Sequence, residues 1–198
     1  EKLKAKGFTP SIAGKDVLEG EFNGVDVHVY IATNNNKVWR IMLADQNTCG
    51  ETDIKIRFNR LCRQFENNPR YTSMTDEEQT IPDDEDISYE ITVNDKRYEA
   101  GFYQTPDSIA IYNESKKSLL SKYTQEQLDN PTEEISKVIL IQYIANKINY
   151  RFNNKVWFMI AEYARKYYIC MYYDTSGRHV RNRMAARCFI SSKITENL

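Results

Sequence analysis

Two aromatic, alternating segments decide the fold of this chain: Lys155-Val156-Trp157-Phe158-Met159-Ile160 and Lys166-Tyr167-Tyr168-Ile169-Cys170-Met171-Tyr172-Tyr173. Aromatic and β-branched residues favour strands, and the short link between the two segments predicts a hairpin. Val25 to Ala32 and Val38 to Ala44 predict a further pair of strands. The sequence therefore indicates an antiparallel sheet.

The strands near the N-terminus are joined by clear turn signals. Leu18 to Phe22 is followed by Asn23-Gly24, which is the strongest short hairpin signal. Asn34-Asn35-Asn36 then turns the chain into the strand that begins at Val38. These segments together predict a three-stranded meander.

A helix is predicted after the meander, with Thr52 as its N-cap and Pro69 beyond its end. Its apolar residues fall on one side of a helix that has 3.6 residues per turn. This apolar stripe consists of Ile54, Phe58, Leu61, Cys62 and Phe65. The acidic stretch from Tyr71 to Asp86 is predicted to be an exposed loop.

A second hairpin is predicted after this loop. Its first strand is indicated by an alternation of apolar and polar residues, and its second strand is Arg97 to Tyr103. The apolar positions of the first strand are Ile87, Tyr89, Ile91 and Val93. Asn94-Asp95 would form the turn.

The pattern changes to helix between Pro106 and Asn153. Asn130-Pro131-Thr132-Glu133 predicts a helix start with Asn130 as N-cap, Pro131 in the first helical position and Glu133 in a capping box. The helix that follows has a broad apolar face, which we expect to be covered on more than one side. That face consists of Ile135, Val138, Ile139, Ile141, Ile144, Ala145 and Ile148.

One short sequence occurs twice, as Asn35-Asn36-Lys37-Val38-Trp39 and as Asn153-Asn154-Lys155-Val156-Trp157. A duplicated α/β unit is one interpretation. We favour coincidence between two strands that start after Asn-rich turns, because the flanking residues do not extend the match.

The charge balance argues against nucleic acid as a partner. The chain has 27 Lys and Arg against 28 Asp and Glu, whereas proteins that neutralise many phosphates carry an excess of positive charge. No membrane span is expected either. The longest apolar run, Val138 to Ile141, is far shorter than the ~18 residues that a spanning helix needs.

The four cysteines, Cys49, Cys62, Cys170 and Cys188, show no CxxC spacing. Four cysteines allow three fully paired connectivities, and the sequence does not choose among them. We favour burial as small apolar side chains over disulfides, above all for Cys62 and Cys170, which lie in apolar patterns.

The sequence contains no constellation that is typical of catalysis or of metal binding. Asp83-Asp84-Glu85-Asp86 could hold Ca²⁺, but it lacks the spacing of a calcium loop, so a solvated loop is the favoured interpretation. His28 beside Asp26 could act as a base, but no nucleophile elbow accompanies it. Only His28 and His179 are available as imidazole ligands. We therefore predict no catalytic residue, no metal site and no cofactor.

The tyrosines of the last hairpin are the candidate binding surface. They are Tyr163, Tyr167, Tyr168, Tyr172 and Tyr173. Exposed tyrosines make a good contact surface for a protein or a sugar. Cross-strand aromatic pairing inside the sheet is the alternative.

Basic residues are concentrated in the C-terminal segment. These are Arg178, His179, Arg181, Arg183 and Arg187. They could contact phosphate or an acidic partner, although a solvated tail or a short terminal helix is the favoured interpretation.

Four segments carry a family resemblance: Lys2-Leu3-Lys4-Ala5-Lys6-Gly7-Phe8, the strand Leu18 to Asn23 with Gly24, Ile81-Pro82-Asp83-Asp84-Glu85-Asp86-Ile87, and Lys166-Tyr167-Tyr168-Ile169 through Asp174. In these segments the chain resembles a group of uncharacterised proteins from gut Bacteroidota, over most of its length up to about Asp174. The resemblance implies one domain in which a helix, three strands, a helix and four strands follow one another. It carries over no catalytic or ligand residues.

The resemblance also implies a leader sequence and export to the periplasm or cell envelope. The chain begins at Glu1 without a methionine, which by itself predicts a processed product or a fragment. The segment 175–198 departs from the pattern of the group, and nothing is carried over to it.

These observations together predict a single α+β domain over residues 1–198. Helices would pack on one face of an antiparallel sheet that is built from a meander and two later hairpins, with a helical insertion at about 106–153 between the hairpins. For function we expect an exported, non-enzymatic interaction module that binds an unknown protein or glycan through an exposed sheet face or loops. A glycan-binding module and a hydrolase assembled from distant residues are the alternatives; nucleic-acid binding through the arginines and lipid or small-molecule storage rank lower.

Overall fold

The computed structural model describes residues 3–14 and 16–175 of the chain. Its strands are β1 (Thr9–Pro10), β2 (Val17–Phe22), β3 (Val25–Asn34), β4 (Lys37–Asp45), β5 (Tyr71–Ser73), β6 (Glu99–Gln104), β7 (Lys155–Tyr163) and β8 (Lys166–Asp174). Its helices are α1 (Glu51–Glu66), α2 (Ile87–Asn94), α3 (Ser108–Ser118), α4 (Gln125–Asp129) and α5 (Glu133–Asn153), and a short 3-10 turn covers Lys4–Lys6. The arginine-rich segment, Cys188 and His179 lie outside the described residues.

The eight strands form one antiparallel sheet in the order β1-β2-β3-β4-β8-β7-β6-β5. The α+β class, the meander and the last hairpin are therefore confirmed. The turn between β2 and β3 has φ values of 53° at Asn23 and 74° at Gly24, and the turn between β3 and β4 has 49° at Asn35 and 58° at Asn36. Positive φ at both central residues matches the right-handed twist of paired strands, and Asn and Gly tolerate it best.

The predicted strand from Ile87 to Val93 is wrong, because these residues form helix α2. Asp86 caps the helix by accepting a hydrogen bond from the Tyr89 N–H at 2.8 Å. Ile87 is fully buried and Ile91, four residues later, packs against the same core. A spacing of four satisfies one face of a helix as well as one face of a strand, which is why the pattern was ambiguous.

Strand β6 pairs with β7 and with β5, and β5 lies inside the stretch that is predicted to be an exposed loop. The rest of that stretch is also tied down. Ile81 is buried, and its backbone forms two hydrogen bonds with the side chain of Asn59 in α1. The loop prediction for Tyr71 to Asp86 is therefore wrong at both of these points.

The sheet has two different faces. The first face packs against α1, whose predicted apolar stripe is confirmed as buried. Four phenylalanines join the helix to the sheet here, with ring centroids 5.2 Å apart for Phe65 and Phe102 and 5.2 Å apart for Phe58 and Phe158. The helix begins directly after Gly50, so Thr52 is its second residue and not its N-cap.

The second face carries a smaller cluster of buried residues. It consists of Met42, Ala44, Tyr168, Cys170 and Tyr172. Because neighbouring side chains in a strand point to opposite sides of the sheet, β8 contributes alternately to the two clusters.

The predicted helical insertion is confirmed as α3, α4 and α5, which lie between β6 and β7. It has a small core of its own, made of Leu119, Leu128 and Ile139. Helix α5 begins two residues later than predicted: Thr132 is its N-cap, and Asn130 is the C-cap of α4.

The two copies of the repeated pentapeptide have different local structures. Asn35 and Asn36 form a hairpin turn, whereas Asn153 ends α5 and Asn154 is its C-cap. This difference supports coincidence over duplication.

Candidate functional site

The tyrosines of the last hairpin do not form one exposed surface. Tyr167, Tyr168 and Tyr172 are only 4%, 7% and 2% exposed, so the prediction is wrong for these three residues. Tyr167 and the half-buried Tyr173 point to the first face and pack against the core under α1. Tyr163 is the most exposed of the five tyrosines, at 38%.

The aromatic side chains on the second face cover one another. The rings of Trp157 and Tyr172 stack with their centroids 4.1 Å apart and at 11° to each other. The Arg40 guanidinium lies 5.3 Å from the Tyr172 ring centroid and 5.0 Å from that of Trp39. The Tyr172 hydroxyl is buried, and burial raises its pKa. The cluster is therefore a packed layer and not an open binding face.

Three charged side chains lie at the edge of this layer. Arg40 donates two hydrogen bonds to the Asp174 carboxylate, from Nε at 2.6 Å and from Nη2 at 3.0 Å. Lys155 stands opposite Asp174 in the strand register and is buried, and desolvation lowers the pKa of its amine. Because Asp174 holds Arg40 in a two-pronged ion pair, the cluster ties β4 to β8.

The cysteines that the structure describes are free thiols. Burial raises the pKa of both Cys62 and Cys170 to about 12, so both remain protonated at neutral pH. The favoured interpretation, burial as small apolar side chains, agrees with these two positions. Cys49 is half-buried and contacts the carbonyl oxygen of Tyr167.

His28 lies on β3 and forms no side-chain hydrogen bond with another described residue. It lies opposite Glu19 of β2 in the strand register, and its ring centroid is 6.4 Å from that of Tyr30. Desolvation lowers the pKa of the imidazole, and the negative charge of Glu19 partly offsets the effect.

Two of the acidic residues at 83–86 have structural roles. Asp86 caps α2, and Glu85 accepts hydrogen bonds from Lys96 and Tyr98. Within the described part of the chain, no three His, Cys, Asp or Glu side chains converge as a metal site would require.

An open groove of about 820 Å³ runs along the outer side of α1. Its lining residues are Thr52, Lys55, Ile56, Asn59, Arg60, Arg63, Gln64, Asn67 and Asp83. Lys55 is held by the carbonyl oxygens of Asp83 at 2.8 Å and Glu85 at 2.5 Å. The groove thus combines cations, amides and one carboxylate without a paired nucleophile and base.

The largest concentration of exposed apolar side chains lies on the helical insertion. Four of them follow one another on α5: Leu140 (55% exposed), Ile141 (68%), Ile144 (48%) and Ile148 (50%). We call these four residues the α5 stripe. At 100° per residue they fall within an arc about 100° wide and extend along about 12 Å of the helix.

The opposite side of α5 is held by α3. Asn146 donates a hydrogen bond to the Ser115 hydroxyl at 2.9 Å, and the rings of Tyr143 and Tyr112 are 6.4 Å apart. Among the described residues the broad apolar face is therefore covered on one side only, contrary to the expectation of cover on more than one side. No part of the chain that the structure describes covers the α5 stripe.

None of the helices in the described ranges combines the length and the apolar character needed to cross a bilayer. A comparison with known protein families finds no match for this sequence, and searches of curated proteins and of solved structures find none.

Proposed function

We propose that this protein is a non-enzymatic interaction module, and that its binding site is the α5 stripe. Its partner is a protein that supplies an amphipathic helix. The observation that carries the proposal is the run of four large apolar side chains on one helix face that nothing in the described structure covers. Contiguous apolar surface of this kind is rare on monomeric proteins and marks interaction sites.

A helix is the partner that fits this surface best. The stripe is one helix face wide, and helices pack by placing the ridges of one in the grooves of the other. Each of the four side chains is about half exposed. Covering the remainder would contribute about 1 kcal/mol per residue, or about 4 kcal/mol in all, before the entropy cost of association.

The charges of α5 are of both signs. Glu133 and Glu134 lie in its first turn, and Lys137, Lys147 and Arg151 follow along the helix. Helices that bind anionic membranes instead carry a polar face that is rich in Lys and Arg. The mixed charges of α5 fit a protein partner better than such a surface.

We further propose that the protein acts outside the cytoplasm, in the periplasm or cell envelope. The support is the resemblance to exported proteins, which rests on segments such as Ile81 to Ile87. Fractionation of the native cells with an antibody against the protein is the test, and recovery in the cytoplasmic fraction would overturn the proposal.

Photo-crosslinking tests the binding site. A photoreactive amino acid replaces Ile141 in the stripe in one variant and Val93 of α2 in the control, because Val93 is a comparably exposed apolar residue (60%) on another helix. Both variants are irradiated in native-cell extract, and the crosslinked peptides are sequenced.

We expect the Ile141 variant to crosslink to one helical segment of one protein, and the Val93 variant to give no such product. Equal products at both positions, or a dominant product with lipid, would contradict a protein-binding stripe. The substitution Ile144→Ser should weaken the specific product, because it removes the centre of the apolar surface.

A further inference from the structure

We infer that the helix received by the α5 stripe is α5 of a second copy of this chain, lying antiparallel to the first. This inference rests on the proposed function and names its partner. It would make the protein a symmetric dimer that is joined through its helical insertions.

The exposed face of α5 has the spacing of a short coiled-coil seam. Its residues repeat at intervals of three and four, which is the spacing of the a and d positions of a heptad. Glu134, Ile141 and Ile148 occupy the a positions, and Lys137, Ile144 and Arg151 occupy the d positions. All six are exposed.

An antiparallel pair brings complementary residues into the same layers. In such a pair, each a position of one helix faces a d position of the other. The residue numbers of any two facing residues therefore add up to the same value. With a sum of 285, Ile141 faces Ile144 of the other copy, since 141 + 144 = 285. Glu134 then faces Arg151 of the other copy, since 134 + 151 = 285.

The intermediate layer is also compatible with this register. Lys137 faces Ile148 of the other copy, since 137 + 148 = 285. The Lys137 amine already binds Glu133 of its own helix at 2.7 Å. Its aliphatic stem is thus available to cover Ile148 while its charge stays in solvent.

A parallel pair would place like charges together. Glu134 would face Glu134, Lys137 would face Lys137, and Arg151 would face Arg151. Like charges across a coiled-coil seam oppose pairing. In the antiparallel arrangement, two-fold symmetry instead repeats the Glu134–Arg151 contact at both ends of the apolar centre.

The contacts between α5 and α3 lie on the side of α5 that faces away from the seam. They involve Tyr143 and Asn146. The seam of six layers is short, so we expect dissociation in the micromolar range.

Sedimentation equilibrium with charge reversals tests the inference. The variants are Glu134→Lys, Arg151→Glu and the double variant E134K/R151E. Each single variant puts like charges at both ends of the antiparallel pair and should weaken dimerisation by about tenfold. The double variant restores opposite charges and should recover most of the loss.

Recovery in the double variant requires that two copies pair. The two positions lie 17 residues, or about 25 Å, apart on one helix, so they do not interact within a single copy. Far-UV circular dichroism of each variant checks that α5 still forms, because the reversed charges oppose the helix dipole. Ile144→Ser should abolish the dimer without changing the net charge.

Three outcomes would overturn the inference. The wild-type chain could remain monomeric at roughly 200 μM, well above the expected dissociation constant. The single variants could dimerise as well as the wild type, or the double variant could remain as weak as the single ones. If any of these occurs and the Ile141 crosslink still leads to a helix of a different protein, the proposed function stands without the dimer; if that crosslink is also absent, both fail.

Discussion

Asn59 shows how a single side chain fixes the position of a long loop. Its amide nitrogen donates to the Ile81 carbonyl at 2.8 Å, and its amide oxygen accepts from the Ile81 N–H at 2.7 Å. The Asn59 side chain is 8% exposed and Ile81 is 4% exposed, so the two backbone groups of Ile81 are buried together with the amide that binds them. The acidic stretch after β5 is thereby attached to α1.

We therefore expect Asn59→Ala to lower the free energy of unfolding by about 2–3 kcal/mol, because two buried backbone groups lose their partner. Urea denaturation is the measurement. Gln64→Ala on the same helix is the control, since its contact with Asn23 is exposed, and it should change stability by about 0.5 kcal/mol or less. Equal effects of the two substitutions would show that the Asn59 bonds do not hold the loop.

His28 should make stability depend on pH. Burial lowers the pKa of the folded imidazole below its usual 6.5, so the unfolded chain binds the proton more readily. The contribution of neutral His28 to the free energy of unfolding is therefore fully present above pH 6.5, and it decreases as the pH falls towards the folded pKa.

The substitution His28→Gln should reduce this decrease. The measurement is the urea midpoint at several pH values between 7.5 and 5.5, compared with the wild type. Because His179 is the only other histidine in the sequence, His179→Gln is the matched control. A wild-type pH profile that persists in the His28→Gln variant would contradict a role for this imidazole.

Among the single elements, α5 carries the proposed seam, and its N-cap stabilises the first turn of the helix. The Thr132 hydroxyl accepts a hydrogen bond from the Ile135 N–H, which marks Thr132 as the N-cap. We expect Thr132→Ala to destabilise α5 by about 1 kcal/mol. Amide hydrogen exchange in the first turns of α5 is the measurement, because the insertion has its own small core.

Asn130→Ala is the sharp comparison, because the sequence pattern had predicted Asn130 as the cap. In the structure Asn130 ends α4, so its substitution should leave exchange in the first turn of α5 unchanged. Faster exchange in Asn130→Ala than in Thr132→Ala would show that the helix starts where the pattern placed it.

The elements that were predicted correctly are those whose signals are local. Asn23-Gly24 fixes a turn through backbone conformation alone, and the apolar stripe of α1 has only one possible periodicity. The prediction failed at α2, because the spacing of Ile87 and Ile91 fits the period of a strand as well as that of a helix. It also failed at β5, because an edge strand of three residues has too little sequence to show alternation.

The sequence does not show which surfaces of a strand or helix are covered by other elements of the fold. Alternation in β8 predicts that Tyr167 and Tyr168 point to opposite sides of the sheet, but it does not say what packs on each side. The same holds for α5: its wide apolar face was visible in the sequence, whereas the exposure of Ile141 and Ile144 depends on where the whole insertion lies.

For the molecule as a whole, the contact between β4 and β8 is the central joint. It joins the N-terminal meander to the last hairpin, and the Arg40–Asp174 ion pair spans it. Asp174 is 4% exposed and Arg40 is 22% exposed. Breaking one partner of a largely buried pair leaves the other charge uncompensated.

We expect Asp174→Asn to lower the free energy of unfolding by about 3 kcal/mol, with Arg40 and Lys155 both left without the carboxylate. Trp39 and Trp157 should report the same unfolding transition as circular dichroism, since both tryptophans flank the joint. Asp129→Asn is the control, because the Asp129 carboxylate is 49% exposed and its pair with Lys116 should contribute little to stability. A small effect of Asp174→Asn would mean that strand pairing alone holds the two halves together.

The strand order also has a consequence during synthesis on the ribosome. Strand β4 ends at Asp45, and its partner β8 ends at Asp174, so 174 − 45 = 129 further residues must be translated before the pairing is complete. At roughly 5–20 residues per second, the edge of β4 that later pairs with β8 stays unpaired for about 6–26 s. Throughout that time the nascent meander presents an unpaired edge that other nascent chains could join, so we expect the emerging chain to depend on chaperone protection until its last hairpin has left the exit tunnel.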